Sequence, residues 1–562
     1  METTPTPALV TRRGAQPLPR LALWLLCAAY LLPGVFGRDP WRNADLTSFG
    51  LMAAMADGRS PWTSPMLGGV AVDSALLPHW IGAAAIAALG PIVGAPLAAR
   101  LPFVFLLGLT LALTWYATYH LARTEAAQPV AFAFGGEADP VDYARAIADA
   151  ALLALIACLG LLQLGHETTP ELVQLTAVAV QLWALAAAPF RPRTARAVLL
   201  VALPLLAASG APAMAVAMGI GGVLVCRGSS YPTVRESARW LGAGTVAAAG
   251  IGVLAGTWRW RVPSAVDEGT LWSIVRQLAW FLWPAWPLAL WTLWRWRRHL
   301  MHRHVSVPLV IAGVALTANL VMLGADRALL LGLPALAILA AFALPTLRRG
   351  AAAAIDWFSV CFFSVCAIAI WVIYVSLQTG VPAKPAANVA RLAPAFMPTL
   401  RPVDLLAALL ATLAWLWLVR WRTGRHREAV WKSLVLPAAG VALSWLLLMT
   451  LWRPLLDHAR SARPWVEALQ PLVGAQPECV SAPDVPPALV AALEVHGPWR
   501  VRAGAAASSG APCPVLLQWR RAVPKGAPPT PPGPGWTLVG RASRPTDRNE
   551  ITWVWRRSGP RR

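Results

Sequence analysis

Carboxylates are scarce in this sequence, 26 Asp and Glu against 48 Lys and Arg, for a formal net charge of +22. Charge of either sign is thin: 13% of the 562 residues are charged, where soluble domains average roughly 25%. That deficit excludes an ordinary soluble protein. No P-loop, dinucleotide-binding glycine fingerprint or HExxH is present. No Cys/His set has metal-ligand spacing, and the sequence gives no sign of an obligatory metal or cofactor. Solenoid-type repeats are missing too. So are the inverted repeats that many carriers are built from, which weighs against transport. The basic excess does not mark nucleic acid. Lys and Arg fall mostly in short connections between apolar runs, the pattern of cytoplasmic loops in membrane proteins. Cysteine is also sparse. Cys27, Cys158, Cys226, Cys361 and Cys366 lie in apolar runs and read as small buried thiols. Cys479 and Cys513 lie in the polar tail and are able to pair if that tail occupies an oxidising compartment.

What the chain has is apolar length. Hydrophobic residues make up 57% of it, in Leu/Ala/Val-rich runs without strand alternation. In lipid only helices and closed barrels satisfy every backbone polar group, and this pattern selects helices. Many of the 30 Trp flank the runs, as interfacial anchors do. The first run, Leu21 to Phe36, follows Arg12, Arg13 and Arg20. It lacks a small-residue cleavage site before Arg38, so it reads as an uncleaved first span with a cytoplasmic N-terminus. Further spans are expected at Ala99–Ala122, Ala146–Leu164, Glu171–Ala188, Ala197–Ala208, Ala213–Cys226, Trp240–Gly256, Leu271–Trp294, Val307–Leu323, Ala328–Pro345, Ile355–Leu377, Pro402–Val419 and Trp431–Trp452. The expectation is an all-α polytopic membrane protein of about thirteen transmembrane helices. Charge parity works only if Leu76–Val93, though long enough to span, stays on the outer face as a juxtamembrane or re-entrant helix. Residues 1–452 then form the membrane domain, with 37–100 as an outer loop, and 453–562 a C-terminal periplasmic domain. Strand-like pieces at Cys513–Trp519, Trp536–Ala542 and Glu550–Arg556, the last two pairing across Ser543–Asn549, make that domain a small α/β one.

The informative stretch runs from Gly37 to Trp80, GRDPWRNADLTSFGLMAAMADGRSPWTSPMLGGVAVDSALLPHW. In a chain poor in acid it gathers Asp39, Asp45, Asp57, Asp73 and His79. The spacing of Leu46, Phe49, Met52, Ala53 and Ala56 predicts a short helix lying in the interface. Long outer loops of this kind often carry function. Asp39 stands about one turn beyond the first span, where a carboxylate is either a solvated interfacial acid or a group that orients or deprotonates a polar partner. His166-Glu167 sits in the short loop Gly165–Pro170, where an acid beside an imidazole is costly enough to mark a site. Capping of the next helix by Glu167 or Thr168, with Pro170 in its first turn, is the compatible alternative. Asp73 or Ser74 is the expected N-cap of the Leu76–Val93 helix. Arg259, Arg261, Arg327, Lys384 and Arg391 are the few outer cations. Each either anchors lipid headgroups or binds a lipid phosphate.

The order of these elements resembles the lipid-linked-sugar glycosyltransferases of the GT-C fold, the dolichyl-phosphate-mannose/aminoarabinose transferase group above all. The matching pieces are Arg38-Asp39-Pro40-Trp41-Arg42-Asn43-Ala44, Gly58-Arg59-Ser60-Pro61-Trp62, Pro65-Met66-Leu67-Gly68-Gly69, Pro78-His79-Trp80 and Ala98-Ala99-Arg100-Leu101-Pro102. His166-Glu167 falls where the family has its second acidic loop, and Ala325-Asp326-Arg327 through Leu333-Pro334 matches a later span start. The resemblance implies transfer of a sugar from a polyprenyl-phosphate carrier to a periplasm-facing envelope lipid, glycan or protein, at a bacterial inner membrane. By it, Asp39, Glu167 and His166 would be catalytic, and Arg42, Asp73, His79, Arg259, Arg261 and Arg327 would bind substrate or lipid phosphate. Two family elements differ here. A Glu-Lys-Pro-Pro run is replaced by Asp73-Ser74-Ala75-Leu76, and a Lys-Gly-Pro turn by Ser209-Gly210-Ala211-Pro212. Arg259, Arg261 or Arg327 would then hold the donor phosphate. The alternatives are a transporter or flippase of a lipid-linked sugar, and an inactive envelope assembly protein.

Overall fold

The computed structural model describes residues 8–41, 43–72, 75–258, 270–424, 429–474, 477–507, 513–521 and 530–557. The chain is 68% helical, with a small sheet near its C-terminus. It divides into two compact units. The first comprises Met1–Pro33, Phe103–Ala369 and Leu406–Thr450, and the second Gly34–Pro102, Ile370–Leu405 and Leu451–Arg562. Among the described residues, seven helices are long and apolar enough to cross a membrane: Leu76–Val93, Ala95–Ala122, Pro170–Ala187, Arg303–Val321, Arg349–Thr379, Pro402–Thr423 and the stretch Val430–Thr450. Arg20–Leu31, Pro212–Arg227 and Leu333–Thr346 are shorter apolar helices.

In the first unit, two runs that read as single spans are each broken. Ala146–Leu164 becomes the helices Pro140–Ala157 and Leu159–Leu164, with Cys158 extended between them at φ −66° and ψ 116°. Leu271–Trp294 becomes Thr270–Phe281 and Ala285–Arg295. Pro284 explains the second break, because it brings no N–H to the helical ladder. The two breaks also meet: the Leu159 N–H, freed from its own helix, donates to the Trp283 carbonyl at 3.2 Å. Gly160 lies against the Phe281 ring, where a side chain would collide. Hydropathy alone does not register a break whose backbone groups are satisfied by a second break.

Small residues set helix approach in the same unit. On the Pro232–Leu254 helix, Gly244, Ala248 and Gly252 repeat at four-residue spacing and are buried. A Cβ on Gly244 would lie 2.6 Å from the Leu199 carbonyl and 3.1 Å from that of Leu200, both backbone of the Pro192–Ala208 helix. Backbone cannot yield as a side-chain tip does, so this contact depends on glycine. Replacing Gly244 with leucine is expected to destabilise this helix pair by about 1–3 kcal/mol. Thermal unfolding in detergent checks it.

The second unit is built around a five-stranded sheet. The strands are β1 (Met66–Leu67), β2 (Val70–Ala71), β3 (Val480–Ala482), β4 (Val501–Ala503), β5 (Val515–Arg521), β6 (Trp536–Arg544) and β7 (Asp547–Arg557). β1 and β2 form a small hairpin, and the others lie in the order β4-β3-β5-β7-β6. β3 runs parallel to β4 and β5, whereas β5, β7 and β6 are antiparallel. Parallel pairing needs a crossover, and the Pro487–His496 helix supplies it between β3 and β4. The β6–β7 hairpin closes more tightly than its sequence implied, with Arg544 opposite Asp547. Cys479 and Cys513 are disulfide-bonded.

The expected interfacial helix is instead a core element. Ala44–Ala56 buries ten of its thirteen residues, Asp45 and Ser48 included, and packs against the Pro487–His496 and Leu76–Val93 helices. Gly50 meets Ala491 so closely that an added Cβ would stand 2.5 Å from the alanine's own. Leu46, Leu51 and Leu67 join Trp465, Val490, Val501, Val515 and Val554 in one apolar core. The apolar stripe read as facing lipid therefore faces protein. Leu76–Val93 begins after Ala75, whose position is the N-cap and carries no side-chain cap.

Candidate active site

The second unit holds Asp39 in a fixed frame. The turn that carries it is tight, with Gly37 at φ 66° and Asn43 at φ 62°. The turn is tied down from the Arg453–Arg460 helix. Arg453 donates to the Phe36 carbonyl at 2.7 Å and to Asp404 at 2.8 Å. Asp39 accepts from Arg463 twice, Nη2 to Oδ1 at 2.7 Å and Nε to Oδ2 at 2.8 Å, and from the Ser461 hydroxyl at 2.9 Å. Burial disfavours the charge on Asp39, but the Arg463 guanidinium and the Ser461 hydroxyl outweigh it and hold the carboxyl below its ordinary value. Asp39 is thus an ionised carboxylate whose two oxygens are both engaged.

Beside it lies an acid that the sequence did not single out. Asp457 Oδ1 accepts from the Trp41 indole N–H at 2.9 Å and from the Asp39 backbone N–H at 3.4 Å. Burial pushes the Asp457 carboxyl up to about 6; the Trp41 N–H opposes this and the neighbouring Asp39 charge adds to it. The Trp41 ring has the Arg38 guanidinium at 4.7 Å and that of Arg460 at 5.1 Å. Its backbone N–H donates to buried Asp45, which also pairs with Arg38 at 3.8 Å. Only the RDPW motif pointed here; nothing local in the sequence marks Asp457, which lies 418 positions from Asp39. His79 is 1% exposed, between the Ala75 carbonyl at 2.5 Å and the Ser48 hydroxyl at 3.1 Å, inside the core rather than on a surface.

The first unit holds the second acidic loop. Glu167 accepts from Arg327 Nη2 at 2.8 Å and from Gln163 at 3.0 Å. Arg327 Nη1 reaches Glu171 at 2.9 Å and the Thr169 hydroxyl at 3.2 Å. Burial works against the Arg327 charge, but Glu171 and Glu167 more than compensate and raise its pKa. Among the described residues Arg327 thus faces two carboxylates. The N-cap position is Thr169, without a side-chain cap, rather than Glu167 or Thr168; Pro170 does open the helix. His166 turns Nδ1 to the Leu162 carbonyl at 2.7 Å and Nε2 to the Tyr30 carbonyl at 2.9 Å. The ring is flanked by Tyr30 and Trp445, with centroids 5.1 and 4.5 Å away. Arg42, Asp73, Arg259 and Arg261 lie outside the described residues. Among the described residues no three His, Cys, Asp or Glu are grouped to hold a metal ion.

A polytopic helical body with an acid-bearing segment after its first helix and a small terminal α/β sheet defines the GT-C-type fold. Two solved structures share it, both of ArnT from Cupriavidus metallidurans. The structure bound to undecaprenyl phosphate matches at a TM-score of 0.57 and 13% identity, covering 95% of this chain and 96% of that one. The apo structure matches at 0.57 and 14% identity, with the same coverage. No protein-family model and no curated protein matches the sequence.

Proposed function

We propose that this chain is a multi-pass bacterial inner-membrane glycosyltransferase. It moves a sugar from a polyprenyl-phosphate carrier to an acceptor in the cell envelope: lipid, glycan or protein. The observation that carries the reading is the shared fold, over 95% of the chain, with a protein whose structure is bound to undecaprenyl phosphate. In this reading residues 1–452 are the transferase part and 453–562 an outer-face domain. The reaction is displacement at the anomeric carbon, with the carrier phosphate leaving. Asp39, ionised and fixed by Arg463, orients the acceptor. Glu167 assists, and its position is set by Arg327. Arg42, Arg259, Arg261 and Arg327 are the cations offered to the leaving phosphate. His166 ties its loop to Tyr30, and His79 supports the core beneath the first outer segment.

The test uses the purified full chain in detergent, radiolabelled undecaprenyl-phosphate sugars and an envelope lipid extract. Asp39→Asn is expected to lower transfer about a hundredfold. Undiminished transfer by that variant removes Asp39 from the mechanism. A second reading, a carrier of lipid-linked sugar, draws on the paired helix breaks at Cys158 and Trp283-Pro284, a feature of transporter binding sites. Flux into sealed vesicles without transfer would establish it.

A further inference from the structure

We propose that Asp457, and not Asp39, is the carboxylate that takes the proton from the acceptor, with Trp41 as its positioning residue. The inference rests on the transferase reading above and divides the two acids by role.

The geometry separates them. Asp39 spends both oxygens on Arg463 and Ser461, in bonds of 2.7–2.9 Å. A proton arriving there would displace a bidentate ion pair. Asp457 is half-buried and engaged through Oδ1 alone. Its Oδ2 accepts no hydrogen bond from the described residues, so one oxygen is anchored and the other is free to receive a proton. Paired carboxylates whose surroundings push their proton affinities apart are a recurrent means of assigning acid and base duties. Here burial and the Asp39 charge make Asp457 the more basic of the two, with a pKa of about 6. The charged groups around it are Asp39, Arg38, Arg100 and Arg463, with Arg460 over the Trp41 ring and His458 on its own helix.

The step balances as follows. The acceptor's O–H oxygen forms a bond to the anomeric carbon, and its proton passes to Asp457 Oδ2. The bond from that carbon to the carrier phosphate oxygen breaks, and the phosphate leaves with the bonding pair. Asp457 must be unprotonated to act. Transfer therefore falls as pH drops through its pKa.

The experiment follows the pH dependence of transfer by the full chain in detergent, with radiolabelled undecaprenyl-phosphate sugars, for the parent, Asp457→Asn, Asp457→Glu and Trp41→Phe. Asp457→Asn is expected to lose about a hundredfold above the acid limb and to lose the limb itself, with partial recovery in Asp457→Glu. Trp41→Phe removes an N–H that favours the ionised form, so the acid limb should move up by about one pH unit. A merely structural role would lower the plateau without moving the limb. A parent whose acid limb persists in Asp457→Asn, or is unmoved in Trp41→Phe, overturns this proposal and leaves the transferase reading standing. A parent that transfers no sugar from any donor overturns both. If Asp457→Asn does not fold, the Trp41→Phe limb alone decides.

Discussion

Replacing Arg327 with alanine is expected to cost about 3–5 kcal/mol of stability, because it strips a shielded ion cluster of its only described cation. Glu167 is 5% exposed and Glu171 22%, and both point an oxygen at the same guanidinium. The loss arises less from the missing attraction than from two acids left close together and poorly solvated. Lysine should rescue little, since one ammonium cannot match a planar fork that bonds Glu167 through one nitrogen and Glu171 through another. Adding Glu167→Gln to Arg327→Ala should restore part of the stability, giving a coupling of about 1–3 kcal/mol in a double-mutant cycle. Thermal unfolding in detergent reads these variants and the Glu167→Gln single that completes the cycle. Strict additivity would mean that the cluster stores no such interaction. The same measurement bears on function: a phosphate-binding Arg327 would lose carrier affinity with little change in stability.

The second large effect belongs to the disulfide. Cys479 and Cys513 close a 34-residue loop; Cys479 sits immediately before β3 and Cys513 two residues before β5, and the two strands pair with Val480 opposite Val515. For a loop of that length, removing the bridge by a Cys479→Ala/Cys513→Ala change should cost about 3–4 kcal/mol. The cost should be local. β3, at three residues, has too few ladder bonds to hold the parallel pair alone. Amide hydrogen exchange is therefore expected to accelerate in Val480–Ala482 and Val515–Arg521, and to stay unchanged in membrane helices such as Pro170–Ala187. Uniform acceleration along the chain would contradict this.

Much of the fold was legible because lipid imposes strong rules. Runs such as Ala99–Ala122 and Ile355–Leu377 had one solution, and the helices Ala95–Ala122 and Arg349–Thr379 follow them within a few residues. The β6–β7 hairpin was legible because its partners are adjacent. The breaks at Cys158 and Trp283-Pro284 were not, because each is stabilised by the other across more than a hundred residues. The burial of Ala44–Ala56 was hidden for a related reason: a stripe of Leu, Phe and Met looks the same whether lipid or a distant helix covers it. At the candidate site the RDPW segment stood out as acid in an acid-poor chain. Arg463, Ser461 and Asp457, which fix its electrostatics, come from a tail whose sequence reads as generic Arg/Pro-rich surface.

The ion pair between Asp39 and Arg463 joins positions 424 residues apart. At roughly 5–20 residues per second of synthesis, the segment bearing Asp39 is made roughly 20–85 seconds before its partner. Through that interval the acid stands with its guanidinium unmade, and the Ala44–Ala56 helix has Leu76–Val93 but not yet the Pro487–His496 helix to pack against. Assembly of this unit therefore waits on the segment that carries Arg463. A ribosome that stops before codon 463 leaves a product inserted in lipid but with its acidic turn unbraced.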